Sequence, residues 1–294
     1  MSSGKTQAQS KLISQAIGAV LRDGSTAVLA TLMELPRASD AGDSAVNHAH
    51  GALSVGAKLL VTESGDEVGD FGESELNEAV NRQARAFLNS REETKVLKVK
   101  EFTPEHDERF HGASVLFERI EAEPQLVICG AGHVGASLAR LAALVGYQVT
   151  LIDDRAEFVT RELFASQDGQ NIELVLATSW SAAVRDVIGN GRGVSVAIVT
   201  RGHKQDEDCL SAAVSSNPDY VGMIGSKRRT NIVLDKLREE GADEEKLCRV
   251  RAPIGLDIAA VSPEEVALAI LAEIVAERRG GPGGSLSRWR RTAS

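Results

Sequence analysis

The chain has 294 residues, 43% of them hydrophobic; that is longer than one usual domain and apolar enough to fill real cores, so two globular domains are expected. No apolar run approaches the ~20 residues that span a bilayer, residues 1–10 lack the apolar core of a secretory signal, and a formal charge of −9 disfavours binding to nucleic-acid phosphates. A cytoplasmic protein is expected, with reduced thiols, because Cys129, Cys209 and Cys248 are odd in number and lack metal-ligand spacing.

Apolar residues recur at helical spacing over 12–21, and residues 26–32 read as a strand rich in small and branched side chains. Residues 36–50 show no periodicity and predict a loop, of a length that is often functional or disordered. A second strand is expected over 57–62, a turn at Glu63-Ser64-Gly65-Asp66, and an amphipathic helix over 75–88 with Leu76, Val80, Ala84 and Phe87 on one side. Strands over 96–102 and 114–120 complete a small α+β domain, residues 1–120. Glu121-Ala122-Glu123-Pro124 reads as a linker, since its proline interrupts pairing and the rhythm changes after it.

The new rhythm, over residues 125–279, alternates strand and helix. Continuous apolar runs at 125–129, 148–152, 172–177, 194–199 and 220–224 are separated by helix-compatible stretches, among them 134–144, 181–188 and 206–215. Such runs fit strands of a parallel sheet covered on both faces. The expected fold class is therefore α/β, a Rossmann-like doubly wound parallel sheet behind the smaller α+β domain. Ser262-Pro263-Glu264-Glu265 starts a last helix with a capping serine, a proline at the first position and a glutamate at the third. That helix is apolar on nearly all sides over 266–276, which suits a core or an interface between protomers. Residues 280–294, glycine-rich and then basic, read as a disordered tail.

Between the first two of these strands lies Gly130-Ala131-Gly132-His133-Val134-Gly135. Gly130 permits the tight turn, Gly132 lets a pyrophosphate approach the backbone, and Gly135 allows close packing of helix on strand. Asp153 ends the next strand, where a ribose hydroxyl is read; an acid there favours NAD over NADP, while Arg155 blurs the choice. Thr200-Arg201-Gly202-His203-Lys204 follows a later strand; His203 could serve as general acid or base or simply as a donor, and Asp206 reads as a helix cap. Gly225-Ser226-Lys227-Arg228-Arg229 opens a helix with three cations, which an anion should offset, either a ligand phosphate or a carboxylate of another segment or protomer. The turn-rich segment 253–257 could close the same cleft. His48, His50, His106 and His111 form no matched ligand set, so no metal site is expected. Cys129 and Cys209 read as buried, inert thiols, and Trp180 as a cap on the core.

Val127-Ile128-Cys129-Gly130-Ala131-Gly132-His133-Val134-Gly135, Asp153-Asp154-Arg155, Thr200-Arg201-Gly202-His203, Gly222-Met223-Ile224-Gly225-Ser226-Lys227-Arg228 and Pro253-Ile254-Gly255-Leu256-Asp257-Ile258 together resemble the XdhC/CoxI family. Gly56-Ala57-Lys58-Leu59-Leu60-Val61 is similar to that family's first-domain signature. The resemblance implies a two-domain, dimeric accessory protein that binds the molybdenum cofactor (molybdopterin), protects it during sulfuration and delivers it to an apo-hydroxylase of the xanthine dehydrogenase type. Expected cofactor-binding residues are Gly130, Gly132, His133, Gly135, Asp153, Arg155, Arg201, Gly202, Gly225, Ser226, Lys227 and Arg228. Many members carry a Gly-Gly-Cys segment that here reads Gly69-Asp70-Phe71-Gly72-Glu73-Ser74-Glu75. Glu75 falls about where the thiol would be, and a hard carboxylate cannot replace a soft thiolate. The residues alone leave open an NAD(P)-dependent oxidoreductase acting on a small molecule, motivated by Asp153 and His203, and a ligand-free scaffold.

Overall fold

The computed structural model describes residues 2–35, 53–90, 92–103, 110, 112–160 and 171–287. The loop expected over 36–50 lies outside them, as do His48, His50, His106 and His111. The chain forms two compact units, Met1–Ala122 and Glu123–Ser294.

The N-terminal unit contains α1 (Ser2–Asp23), β1 (Thr26–Glu34), β2 (Lys58–Thr62), β3 (Glu67–Gly69), α2 (Ser74–Leu88), β4 (Thr94–Lys98) and β5 (Ser114–Glu121). Its five strands form an antiparallel sheet in the order β3-β2-β1-β5-β4. Period-2 alternation puts Val28, Ala30 and Leu32 of central β1 in one core with Val80 and Phe87 of α2, and Ala27 and Leu29 in another with Ile13 and Val20 of α1. Arg119 donates to the carbonyls of Phe87, Leu88 and Ser90 at 2.8–3.1 Å, covering the C-terminal end of α2. The strand expected over 96–102 stops at Lys98, because a 3₁₀ turn, Val99–Glu101, tucks Val99 into the core and the Glu101 carboxylate accepts from the Lys98 amide.

The C-terminal unit runs β6 (Gln125–Cys129), α3 (His133–Leu144), β7 (Gln148–Asp153), β8 (Ile172–Leu176), α4 (Trp180–Ile188), β9 (Val194–Ile198), α5 (His203–Ser216), β10 (Tyr220–Met223), α6 (Lys227–Glu239), α7 (Glu244–Arg249) and α8 (Pro263–Arg278). All strand pairs are parallel, in the order β10-β9-β6-β7-β8, so the chain moves outward to one side of β6 and then returns to the other, the doubly wound arrangement. Side chains alternate between two cores. Val127, Val196 and Ile198 pack with α4, α5 and α6, whereas Leu126, Ile128 and Leu151 pack with Leu138 of α3 and Ile270 and Ile274 of α8. Residues 251–254 run beside β10, with Arg251 donating to the Val221 carbonyl and Met223 to the Arg251 carbonyl, both at 2.9 Å. A Cβ at Gly222 would lie 2.5 Å from the Ile254 side chain, which would have to shift to admit it.

Helix α8 begins as its sequence predicts, with Ser262 and Glu265 forming a reciprocal capping box. It faces both ways: Ile270 and Ile274 are buried, while Leu268 is 52% and Val275 38% exposed. Of the tail expected over 280–294, residues 288–294 lie outside the described residues, and its first two glycines take part in the end of α8. Gly280 takes φ +63°, its amide reaches the Glu277 carbonyl, and the Gly281 amide reaches that of Ala276 at 2.6 Å. This pair of bonds is a Schellman stop, so the first glycines terminate a helix. No helix among the described residues is long and apolar enough to cross a membrane.

Candidate functional site

Because all strands of the second sheet are parallel, the loops after β6, β7, β9 and β10 emerge on one edge. The strand order reverses between β6 and β9, and ligands of such sheets bind in the crevice outside that reversal. Gly130 closes the turn after β6 with φ +111°, where a Cβ would lie 2.7 Å from the Val199 carbonyl oxygen. At Gly135 a Cβ would meet the Gly130 carbonyl at 1.8 Å, so α3 packs against the strand only because both residues are glycine. Gly132, at the cap of α3, faces open space with no atom near its missing Cβ, and no side chain caps this helix start. His133 is exposed on the first turn.

Asp153 stands at the end of β7 as expected, but its surroundings are unlike those of a ribose reader. It is 1% exposed, and its Oδ2 accepts the Ala131 amide at 2.7 Å and Arg155 Nη2 at 2.9 Å. Its Oδ1 accepts the Arg155 amide at 3.0 Å and Arg155 Nε at 2.8 Å. Burial pushes this carboxyl up, yet the Arg155 side chain and the two amides outweigh it and hold the group below its ordinary value. The Arg155 guanidinium also lies over the Phe158 ring, 3.7 Å from its centroid.

The loop after β9 touches this cluster through Arg201, whose guanidinium is 3.6 Å from Asp154. Asp206 does not cap α5: Gly202 holds the cap position and Asp206 lies one turn inside, fully buried. Its Oδ1 accepts the Thr200 hydroxyl at 2.5 Å, and its Oδ2 takes Nε and Nη2 of Arg229 from α6. Burial raises the Asp206 carboxyl, against the lowering effect of Thr200 and Arg229. One cation at the start of α6 is thus offset by a carboxylate of another segment. Lys227 and Arg228 remain exposed, with no ion pair among the described residues. Ser226 caps α6 by accepting the Arg229 amide, and Gly225 precedes it at φ +151°.

The loops carrying Gly130–Gly135, Asp153–Arg155, Arg201–His203 and Gly225–Arg228 therefore share one edge, joined by contacts from Ala131 to Asp153, Asp154 to Arg201 and Asp206 to Arg229. His203 opens α5, exposed, and no hydrogen bond orients its imidazole among the described residues. Cys129 and Cys209 are fully buried in the core, with the Cys209 thiol pushed up by its neighbour Cys129 and by burial. Cys248 lies on α7 beside a 560 Å³ cavity that also takes in Asp219 and Tyr220 at the start of β10, the opposite edge. Trp180 packs into the core with Val184 and Ile188. The Asp206–Arg229 pair and the Arg155–Phe158 stack are not foreseen individually by sequence reasoning; the cation cluster at 227–229, in need of an anion, is the available signal.

Residues 126–274 match the XdhC Rossmann domain. The uncharacterized protein YqeB of Escherichia coli K12 is 33% identical over 178 residues, 60% of this chain and 32% of that protein. A Bacillus subtilis protein named as a probable component of xanthine dehydrogenase is 28% identical over 166 residues, 56% of this chain and 46% of that one. The molybdenum cofactor insertion chaperone PaoD of Escherichia coli is 38% identical over 69 residues, 24% of this chain and 22% of PaoD. The chain thus spans less than half the length of the curated relatives it matches. A solved structure described as a xanthine dehydrogenase from Bacillus halodurans covers 94% of this chain and 98% of that one at 17% identity, with a TM-score of 0.48.

Proposed function

The chain belongs to the XdhC family, and from that premise we propose that it is an accessory protein in the maturation of a molybdenum hydroxylase of the xanthine dehydrogenase type, binding the molybdenum cofactor and delivering it to the apoenzyme. The names of two relatives, one a xanthine dehydrogenase component and the other a cofactor insertion chaperone, support the same role. The observation that carries the reading is the convergence of the glycine loop with the exposed cations Arg201, Lys227 and Arg228 on the switch-point edge.

This edge fits the phosphate end of molybdopterin. Gly132 leaves the backbone open to close approach, and no side chain caps the first turn of α3, a helix start of the kind that can donate to an anion. Lys227 and Arg228 add charge that no carboxylate of the described residues neutralises. The cofactor, when bound, supplies the molybdenum centre used by the client enzyme. For its sulfur-bearing end no thiol of the described residues is on offer at this edge, since Cys129 and Cys209 are buried and Cys248 lies at the other end of the sheet. The chain's part is therefore to hold and shield the phosphate-bearing end in the cytoplasm, as a homodimer through the exposed side of α8.

An NAD-dependent oxidoreductase is the weaker reading. Asp153 already has its donors within the protein, and His203 lacks the orienting partner that a general base generally has. The test is co-expression with an apo-hydroxylase, measuring bound molybdopterin and hydroxylase activity. Pterin on the purified chain and a gain in client activity are expected; the absence of both would remove the proposal.

A further inference from the structure

We infer that the crevice selects a phosphate monoester and rejects phosphates linked to a nucleoside, because the carboxylate placed to read a ribose has become an internal latch. The inference rests on the proposed cofactor site and adds the class of ligand that site accepts. In sheets of this topology, the acid ending the second strand accepts hydrogen bonds from the ribose next to the pyrophosphate. Asp153 holds that position, at the end of β7, yet its two oxygens already take four donors, from the Ala131 amide and from the amide, Nε and Nη2 of Arg155. A carboxylate offers about four lone-pair positions, so no acceptor remains for a diol.

Releasing Asp153 would require breaking a bidentate pair and lifting Arg155 from the Phe158 ring. It would also strip the Ala131 amide, inside the glycine loop itself, of its partner. The ribose position is thus tied to the integrity of the phosphate loop. What the edge offers besides is positive charge: the Arg201 side chain is 56% exposed, with Asp154 3.6 Å away, and Lys227 and Arg228 are exposed as well. Charge of that kind can meet the terminal phosphate of a monoester, whose two negative charges sit on one phosphorus with no second substituent to be accommodated. Molybdopterin in its mononucleotide-free form has such an end; its CMP-linked form and NAD(H) do not.

The full chain is titrated with three probes: the oxidised, fluorescent pterin monophosphate derived from the cofactor, the same pterin linked to CMP, and NADH. The monophosphate is expected to bind about tenfold or more tighter than the CMP-linked form, the size of one polar contact to a charged group, with no change in NADH fluorescence. Arg155→Ala, checked for an intact fold by circular dichroism, frees one or more acceptor positions on Asp153 and should narrow that preference, whereas Arg155→Lys should retain more of it. Equal binding of the CMP-linked form or of NADH by the wild-type chain overturns the inference, as does an unchanged preference in folded Arg155→Ala. Loss of binding for all three probes instead removes the phosphate site itself, and with it the inference.

Discussion

Asp206→Ala removes the anion that joins the β9 loop to α6. The carboxylate is 0% exposed, while the Arg229 side chain opposite is 25% exposed. Deleting one partner of a buried pair costs about 3–5 kcal/mol. Part of this is recovered because Arg229 can regain some water, and part is added because its charge then sits unopposed at the positive end of a helix, about 0.3–1 kcal/mol. The Thr200 hydroxyl also loses its 2.5 Å acceptor. The net expectation is a loss of about 2–4 kcal/mol, or roughly 4–16 °C in the melting midpoint of a unit this size. Urea unfolding followed by fluorescence of Trp180, which is buried in the same unit, measures it. Removing both charges together, with Asp206→Leu and Arg229→Met, should recover most of the loss, since apolar replacement of a buried pair is close to neutral. A single variant within about 1 kcal/mol of wild type, or a double variant no better than the single, would refute the reasoning.

Gly135→Ala would place a Cβ 1.8 Å from the Gly130 carbonyl, and overpacking on this scale should lower stability by about 2–3 kcal/mol in a thermal melt; an unchanged midpoint would contradict the packing account. The Asp153 carboxyl titrates below its ordinary value, so its contribution is complete above the unfolded value of about 4 and is lost as pH falls through the lower folded value. Urea melts from neutral pH into acid should therefore show a steeper fall for wild type than for Asp153→Asn, and parallel curves would count against the latch. Leu268, 52% exposed on α8, should convert the proposed dimer to monomer when changed to Asp, read by light scattering on a sizing column; a monomeric wild-type chain would remove the dimer.

The second sheet is readable in the sequence because its strands are short apolar runs, buried along their whole length in β9 and β10, and because Gly130 and Gly135 occupy positions that no larger residue fits. Elements too short to carry a period, β3 and α7, leave no such mark. At Gly280-Gly281 glycine serves a helix stop, which composition alone does not show. At the candidate site, the positions of Asp153 and Asp206 are legible while their partners are not. Arg155 reaches back two residues to fill Asp153, and Arg229 reaches Asp206 from another helix. Both pairings depend on side-chain direction, which spacing along the chain does not encode. The consequence is functional, since the same aspartate at the same strand end means a ribose reader when its oxygens are open and a closed latch when an arginine fills them.

The central claim, a phosphate-bearing pterin held at the switch-point edge, is tested most directly by a mass spectrum of the small molecules released from the purified full chain after co-expression with the cofactor pathway intact. The account predicts a pterin monophosphate, reduced or absent when Lys227 and Arg228 are both changed to Glu. Release of a nicotinamide dinucleotide in its place, or of a pterin that the Lys227→Glu, Arg228→Glu chain retains in full, would contradict it.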